Sequence, residues 1–203
     1  MNIPTLTIEK AGVWTGVAVS ALTLLGRLFA RFRGMHRLYW DDVSVIAAFI
    51  LVVITGALWQ WGAPAMYYVL NVQAGLELYD QTRFFPDMKR WLLVSLIVEL
   101  FFYTSLLLIK LAFILFFKRL GQRIKFFKWI WWPVLVVTLG SYFGSVGNVD
   151  YKCLIAPVET ILQECNTASS IGFVVTTLKA NCALDIFTDF LSKNYPPYTF
   201  PVL

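Results

Sequence analysis

The run Trp91–Phe117 reads WLLVSLIVELFFYTSLLLIKLAFILFF and carries two charged residues, Glu99 and Lys110. A bilayer's hydrocarbon core of about 30 Å takes roughly 20 apolar residues in a helix, so this stretch is long enough to span it with some tilt. Its apolar residues are continuous rather than alternating, which argues against a barrel strand. Four further stretches have the same character. They run from about Ala11 to Phe29, Val43 to Trp61, Phe126 to Val146 and Ala168 to Leu191, the last being the most polar. The expectation is an all-α, polytopic transmembrane bundle of about five spans over residues 1–192, followed by a short proline-rich tail, 193–203.

Composition points the same way. The 203 residues are 59% hydrophobic, 17% aromatic and 14% charged. A soluble domain is about a quarter charged, so here there is too little polar surface to cover an apolar core. The net charge of +5 is gathered in two connections, which makes it a topology signal and not a nucleic-acid footprint. The first connection holds Arg27, Arg31, Arg33 and Arg37; the third holds Lys118, Arg119, Arg123, Lys125 and Lys128. The second and fourth balance their charges or lean acidic, with Glu77, Asp80 and Asp87 in one and Asp150, Glu159 and Glu164 in the other. Lys and Arg favour the cytosolic side, which predicts an N-terminus outside. Positive charge follows the first apolar run instead of preceding it, so that run reads as a retained helix and not as a cleaved signal.

Candidate functional residues are few. The single histidine, His36, lies in a basic connection, and the three cysteines have no zinc or haem spacing. There is no phosphate loop, no nucleophile elbow and no other catalytic motif. No metal and no cofactor is expected, and the reading leans away from an enzyme. Cys153 and Cys165 share the fourth connection, where an oxidising compartment favours a disulfide over free thiols. Cys182 reads as a small packing residue. Asp41 and Asp42 open the second span at the cytosolic face, as a helix cap beside the arginines of the first connection. A metal–diphosphate role for that pair has only a lone Asp-Asp behind it.

Charge inside a bilayer is costly and marks function by default. Glu99, Lys110, Lys179, Asn181 and Asp185 are the intramembrane polar candidates. Glu99 and Lys110 share a helix face but stand roughly 16 Å apart along the axis. That separation predicts two interhelical pairs, Lys110 with Asp185 and Glu99 with Lys179. Packing or snorkelling of the lysines is the competing explanation. Asn181, Asp185 and Asp189 also fall on one helical face, a spacing that partly resembles the aspartate-rich motif of UbiA-type membrane prenyltransferases. Cys182 stands where that motif has Asp, and a second such motif is missing.

Several of these stretches, in order, resemble the fungal seven-span rhodopsin-domain integral membrane proteins. The arginine-rich connection running into Trp40-Asp41-Asp42 is similar to that group's entry to its second span. Lys110 through Lys118-Arg119-Leu120 resembles its K-x-S-x-L-x-F-Y-x-R-L-F stretch, with Ala112 and Phe117 in place of Ser and Tyr. Cys153, Pro157, Cys165-Asn166, Asn181 and Asp185 follow its pattern further on. The resemblance implies a rhodopsin-like bundle in a surface or internal membrane of a fungus, without implying retinal. Some relatives are receptor-like, and others accompany secondary-metabolite genes. The family has seven spans, so the chain is expected to be a product truncated after the fifth. The function expected is receptor-like or accessory. The alternative is a membrane-embedded enzyme or transporter for apolar metabolites. Expected partners are the lipid bilayer and, beyond it, a small apolar ligand or a cytosolic protein at the basic loops. Nucleic acid is not among them.

Overall fold

The computed structural model describes residues 3–35, 39–120, 127–155, 161, 165 and 167–193. The tail beyond residue 193, together with His36, Arg37, Arg123, Lys125, Glu159 and Glu164, lies outside the described residues. Among the described residues six helices follow one another: α1 (Ile3–Met35), α2 (Trp40–Gln73), α3 (Gln81–Leu120), α4 (Phe127–Gly147), the short α5 (Tyr151–Ile155) and α6 (Ala168–Lys193). The described chain is all helix and connection, as an apolar solvent demands. A helix satisfies its own backbone groups where no water is available to do so. Hydroxyls in the helices follow the same logic. Those of Thr15, Ser20, Thr55, Thr104 and Thr138 each bond a carbonyl four residues back.

Among the described residues, three helices are long and apolar enough to cross a membrane by length and composition: Lys10–Arg33, Trp40–Gln73 and Gln81–Arg119. The helices overrun the expected spans. In particular, α1 continues to Met35, so Arg27, Arg31 and Arg33 sit on its last turns and not in a loop. Large side chains such as Leu22, Phe29, Ile186 and Phe190 point away from the protein, which suits a surface solvated by lipid.

The central element is α3. It packs most extensively on α2 and also touches α4, α5 and α6; α1 lies against α2, and α4 touches α6 as well as α3. Small residues let α2 and α3 come close. Gly62, Ala63 and Ala65 are buried on α2, and a Cβ at Gly62 would stand 2.7 Å from Val94 Cγ1. Close approach through small residues is how helices associate where lipid offers no hydrophobic drive. Nearer the α2–α3 turn, Tyr68, Val69, Phe84, Met88 and Ile161 form an apolar cluster. Arg90 lies over the Trp61 ring at 4.0 Å and donates to the Trp61 carbonyl at 2.5 Å.

The turn itself is specified locally. Gly75 adopts φ +72°, and the N–H of Leu76 reaches back to the Asn71 carbonyl at 2.8 Å while that of Gly75 bonds Val72. This left-handed closure of a helix favours glycine. Asp80 then caps α3 through the N–H and hydroxyl of Thr82, at 3.0 and 2.7 Å.

Candidate functional site

Polar side chains gather in three places. The first is the end of the bundle where α1 turns into α2. Arg27 meets Asp41 at 3.0 Å and Asp42 at 3.3 Å; Arg31 meets the same two carboxylates at 2.5 and 3.5 Å. Both aspartates are almost wholly buried, at 3% and 1% exposure. Asp42 also accepts from the backbone N–H of Tyr39 at 3.3 Å, so it caps α2 and binds α1 at once. The Tyr39 ring is covered by Arg119 of α3 at 3.6 Å. The Arg31 guanidinium lies 5.7 Å from the Phe116 ring. Three helices are thereby tied at one end. Lys118 stacks on Trp131 of α4 at 4.3 Å, and Trp131 donates to the Ile114 carbonyl at 3.1 Å, which adds the fourth.

The second place is in the second halves of α3 and α6. The Lys110 ammonium is buried and forms an ion pair with Asp185. It also donates to Thr188 Oγ1 at 2.6 Å and to the Asp185 carbonyl at 3.3 Å, and lies 3.4 Å from Asp189. An ammonium has three protons to place, and the oxygens of this one α6 face receive them. The Asp185–Asp189 face therefore holds a lysine where the prenyltransferase-like motif would hold a metal. Among the described residues, no group of three acidic, His or Cys side chains is arranged to bind a metal ion.

The third place lies two turns along, toward the end bearing α5. Tyr103 donates to Glu99 at 3.2 Å, and Asn181 donates its amide N–H to the Tyr103 oxygen at 2.9 Å. Glu99 and Lys179 form no ion pair among the described residues, which corrects the expected second pair. The reason is helical phase. Asn181 faces α3, and Lys179, two residues earlier, is turned by about 200°; it is exposed on the outer side of α6. Cys182 is exposed too, and so is not the packing residue expected.

Two cavities connect these groups. A space of about 30 Å³, enough for a water, is bounded by Tyr103, Lys110, Thr138, Ser141, Tyr142 and Asp185. A larger pocket of about 440 Å³ opens at the α5 end. Its floor is Glu99, Tyr103 and Asn181, and its walls include Trp91, Phe173 and the disulfide that joins Cys153 to Cys165. Tyr103 borders both spaces. A third cavity, of about 320 Å³, is mostly apolar but is also lined by Ser20, Thr23 and Arg27, and lies between α1, α2 and the second half of α3.

Sequence reasoning singled out Glu99, Lys110, Asn181 and Asp185, and the structure sets all four along the α3–α6 seam. It missed Tyr103 and Thr188. A signal for both was present: Tyr103 is four residues after Glu99 and seven before Lys110, and Thr188 is three after Asp185, each on the face already marked by charge.

Among known proteins, residues 26–197 match the model of the fungal rhodopsin domain. No curated protein and no solved structure matches the chain. The matched region takes in the arginine–aspartate cluster, the α3–α6 seam and the pocket above it, and the chain belongs to the fungal rhodopsin-domain family of membrane proteins.

Proposed function

We propose that the chain is a receptor-like membrane protein of five spans, α1 to α4 and α6, with its N-terminus and α5 outside and the arginine–aspartate cluster at the cytosolic face. The carrying observation is the position of Tyr103. It forms part of the floor of the 440 Å³ pocket and part of the wall of the small cavity that holds Lys110. A ligand seated on Glu99 and Asn181 competes for the hydrogen bonds of Tyr103, and the change is felt at the Lys110–Asp185 pair. That pair is one of the contacts that set how α3 and α6 lie against each other. The arginine–aspartate cluster, by contrast, keeps α1, α2 and α3 together as a fixed frame. The orientation is supported by the Lys and Arg bias of the first and third connections. The disulfide at the opposite end suits an oxidising compartment. The basic stretch at the end of α3 is the surface offered to a cytosolic protein. No catalytic or metal-binding motif favours an enzyme.

The test uses two nitroxide labels on exposed positions of the inner halves, Phe113→Cys on α3 and Phe190→Cys on α6, with Cys182→Ser to remove the free thiol. Neutralising the pocket floor with Glu99→Gln is expected to shift or broaden the distance distribution between them. The same change in a Tyr103→Phe background is expected to leave the distribution where Tyr103→Phe alone puts it. An inner distance that ignores Glu99→Gln while the protein stays folded contradicts the coupling.

A further inference from the structure

We infer that the α5-end pocket is a site for a small organic cation: an ammonium head on an aromatic or apolar body. The inference rests on the pocket being the ligand site and adds the chemistry of what enters it. The walls are apolar and aromatic, with Met88, Trp91, Leu92 and Phe173 among them, and the volume is that of a drug-sized ligand site. Among the described residues, the ionisable side chains in the lining, apart from the tyrosine, are both acidic, Glu99 in the floor and Asp150 higher up, and no described lysine or arginine joins them. Lys179, the nearest lysine along α6, is exposed on the helix's outer face.

The floor also has acceptors to spare. Tyr103 has one hydroxyl proton and gives it to Glu99. Its oxygen can then only accept from Asn181, which must turn its NH₂ toward the ring. That leaves Asn181 Oδ1 without a hydrogen-bond partner on a residue 7% exposed. An unpaired buried carbonyl is costly and is rarely left so. A carboxylate and a bare amide oxygen, set together in an apolar pocket, call for a group with several protons and a positive charge. An ammonium supplies both. A carboxylate ligand would meet Glu99 with like charge, and a purely apolar one would leave Oδ1 unpaired.

The experiment compares three probes of one shape, naphthylethylamine, naphthylethanol and naphthylacetate. Each is equilibrated with the full chain in nanodiscs of neutral phosphatidylcholine, with empty discs subtracted. The amine is expected to bind saturably and roughly tenfold more tightly than the alcohol, a margin of about 1.4 kcal/mol, with the acetate weakest. Glu99→Gln is expected to erase the amine's advantage. Asn181→Leu, which keeps the volume and removes the bare oxygen, is expected to reduce it by about half on a logarithmic scale. Lys179→Gln is expected to change nothing. Equal binding of the three probes, linear partition without saturation, or preference for the acetate would overturn the inference. Those readings use the wild-type chain and do not depend on a variant folding. Saturable amine binding that leaves the α3–α6 label distance unchanged overturns the receptor reading and keeps the site.

Discussion

Arg27, Arg31, Asp41 and Asp42 make one charge cluster, and Lys110, Asp185 and Asp189 make another. The first sets two guanidinium groups against two carboxylates, with both aspartates shut away from the surface. The second sets one ammonium against two carboxylates whose side chains remain 39% and 48% exposed. Planar guanidinium forks engage both aspartates in fixed directions, whereas an ammonium is a point charge on a flexible stem. The arginine cluster is therefore fixed in direction. The lysine cluster shares one ammonium among Asp185, Asp189 and the hydroxyl of Thr188, without a planar fork to fix its direction. One serves as a clasp and the other as an adjustable joint, and the pocket sits above the joint.

The comparison breaks most visibly at Asp42. Asp42→Ala takes one of two carboxylates from Arg27 and Arg31, leaves Asp41 alone to balance both in a buried site, and uncaps α2, so a loss of about 3–5 kcal/mol is expected when unfolding is followed in mixed micelles. A loss below about 1 kcal/mol removes the clasp. Asp185→Asn is expected to cost less, about 1.5–3 kcal/mol, because Asp189 and Thr188 still receive the ammonium. If it costs as much as Asp42→Ala, the joint is no more adjustable than the clasp. Thr188→Val sharpens the point. It removes one acceptor and keeps the shape, and about 1 kcal/mol is expected. The smallest effect is expected at a charge outside both clusters. Asp80 is fully exposed, and the Thr82 hydroxyl, then the Thr82 N–H and the nearby Arg83, hold its carboxyl below its ordinary value of 3.8. A depressed carboxyl stabilises the fold above its unfolded pKa, and that contribution is lost as pH falls through the folded one. The melting temperature of the parent is thus expected to exceed that of Asp80→Asn slightly at neutral pH. The gap should close below about pH 4, where the unfolded-state carboxyl begins to protonate. A gap that persists at pH 2 contradicts the cap.

The same contrast explains what could be read from the residues alone. The helical class and the apolar runs were legible because lipid imposes one period and one length on everything that crosses it. The arginine–aspartate cluster was half legible, since its members lie within fifteen residues of one another. What was missed is that α1 carries its helix on to Met35, which turns a basic loop into a rigid arm. The lysine joint depends on helices 75 residues apart. There the relative depth of α3 and α6 could be read, which set Lys110 against Asp185, but the face that α6 turns toward α3 was not used. The Glu99–Lys179 expectation failed for that reason. It used depth alone, and the phase of α6 that brings Asn181 and Thr188 inward sends Lys179 outward. The polar floor of the pocket was legible in Glu99 and Asn181, but its walls were not, because they come from α2, α3, α5, α6 and the disulfide meeting at one end.

The most direct test of the α3–α6 joint is a double-mutant cycle between Lys110→Met and Asp185→Asn on the full chain, with unfolding free energy as the readout. Residues in direct contact couple by about 0.5–3 kcal/mol, so the double variant is expected to lose clearly less than the sum of the singles. Losses that add to within about 0.3 kcal/mol would mean that Lys110 and Asp185 do not hold these helices together.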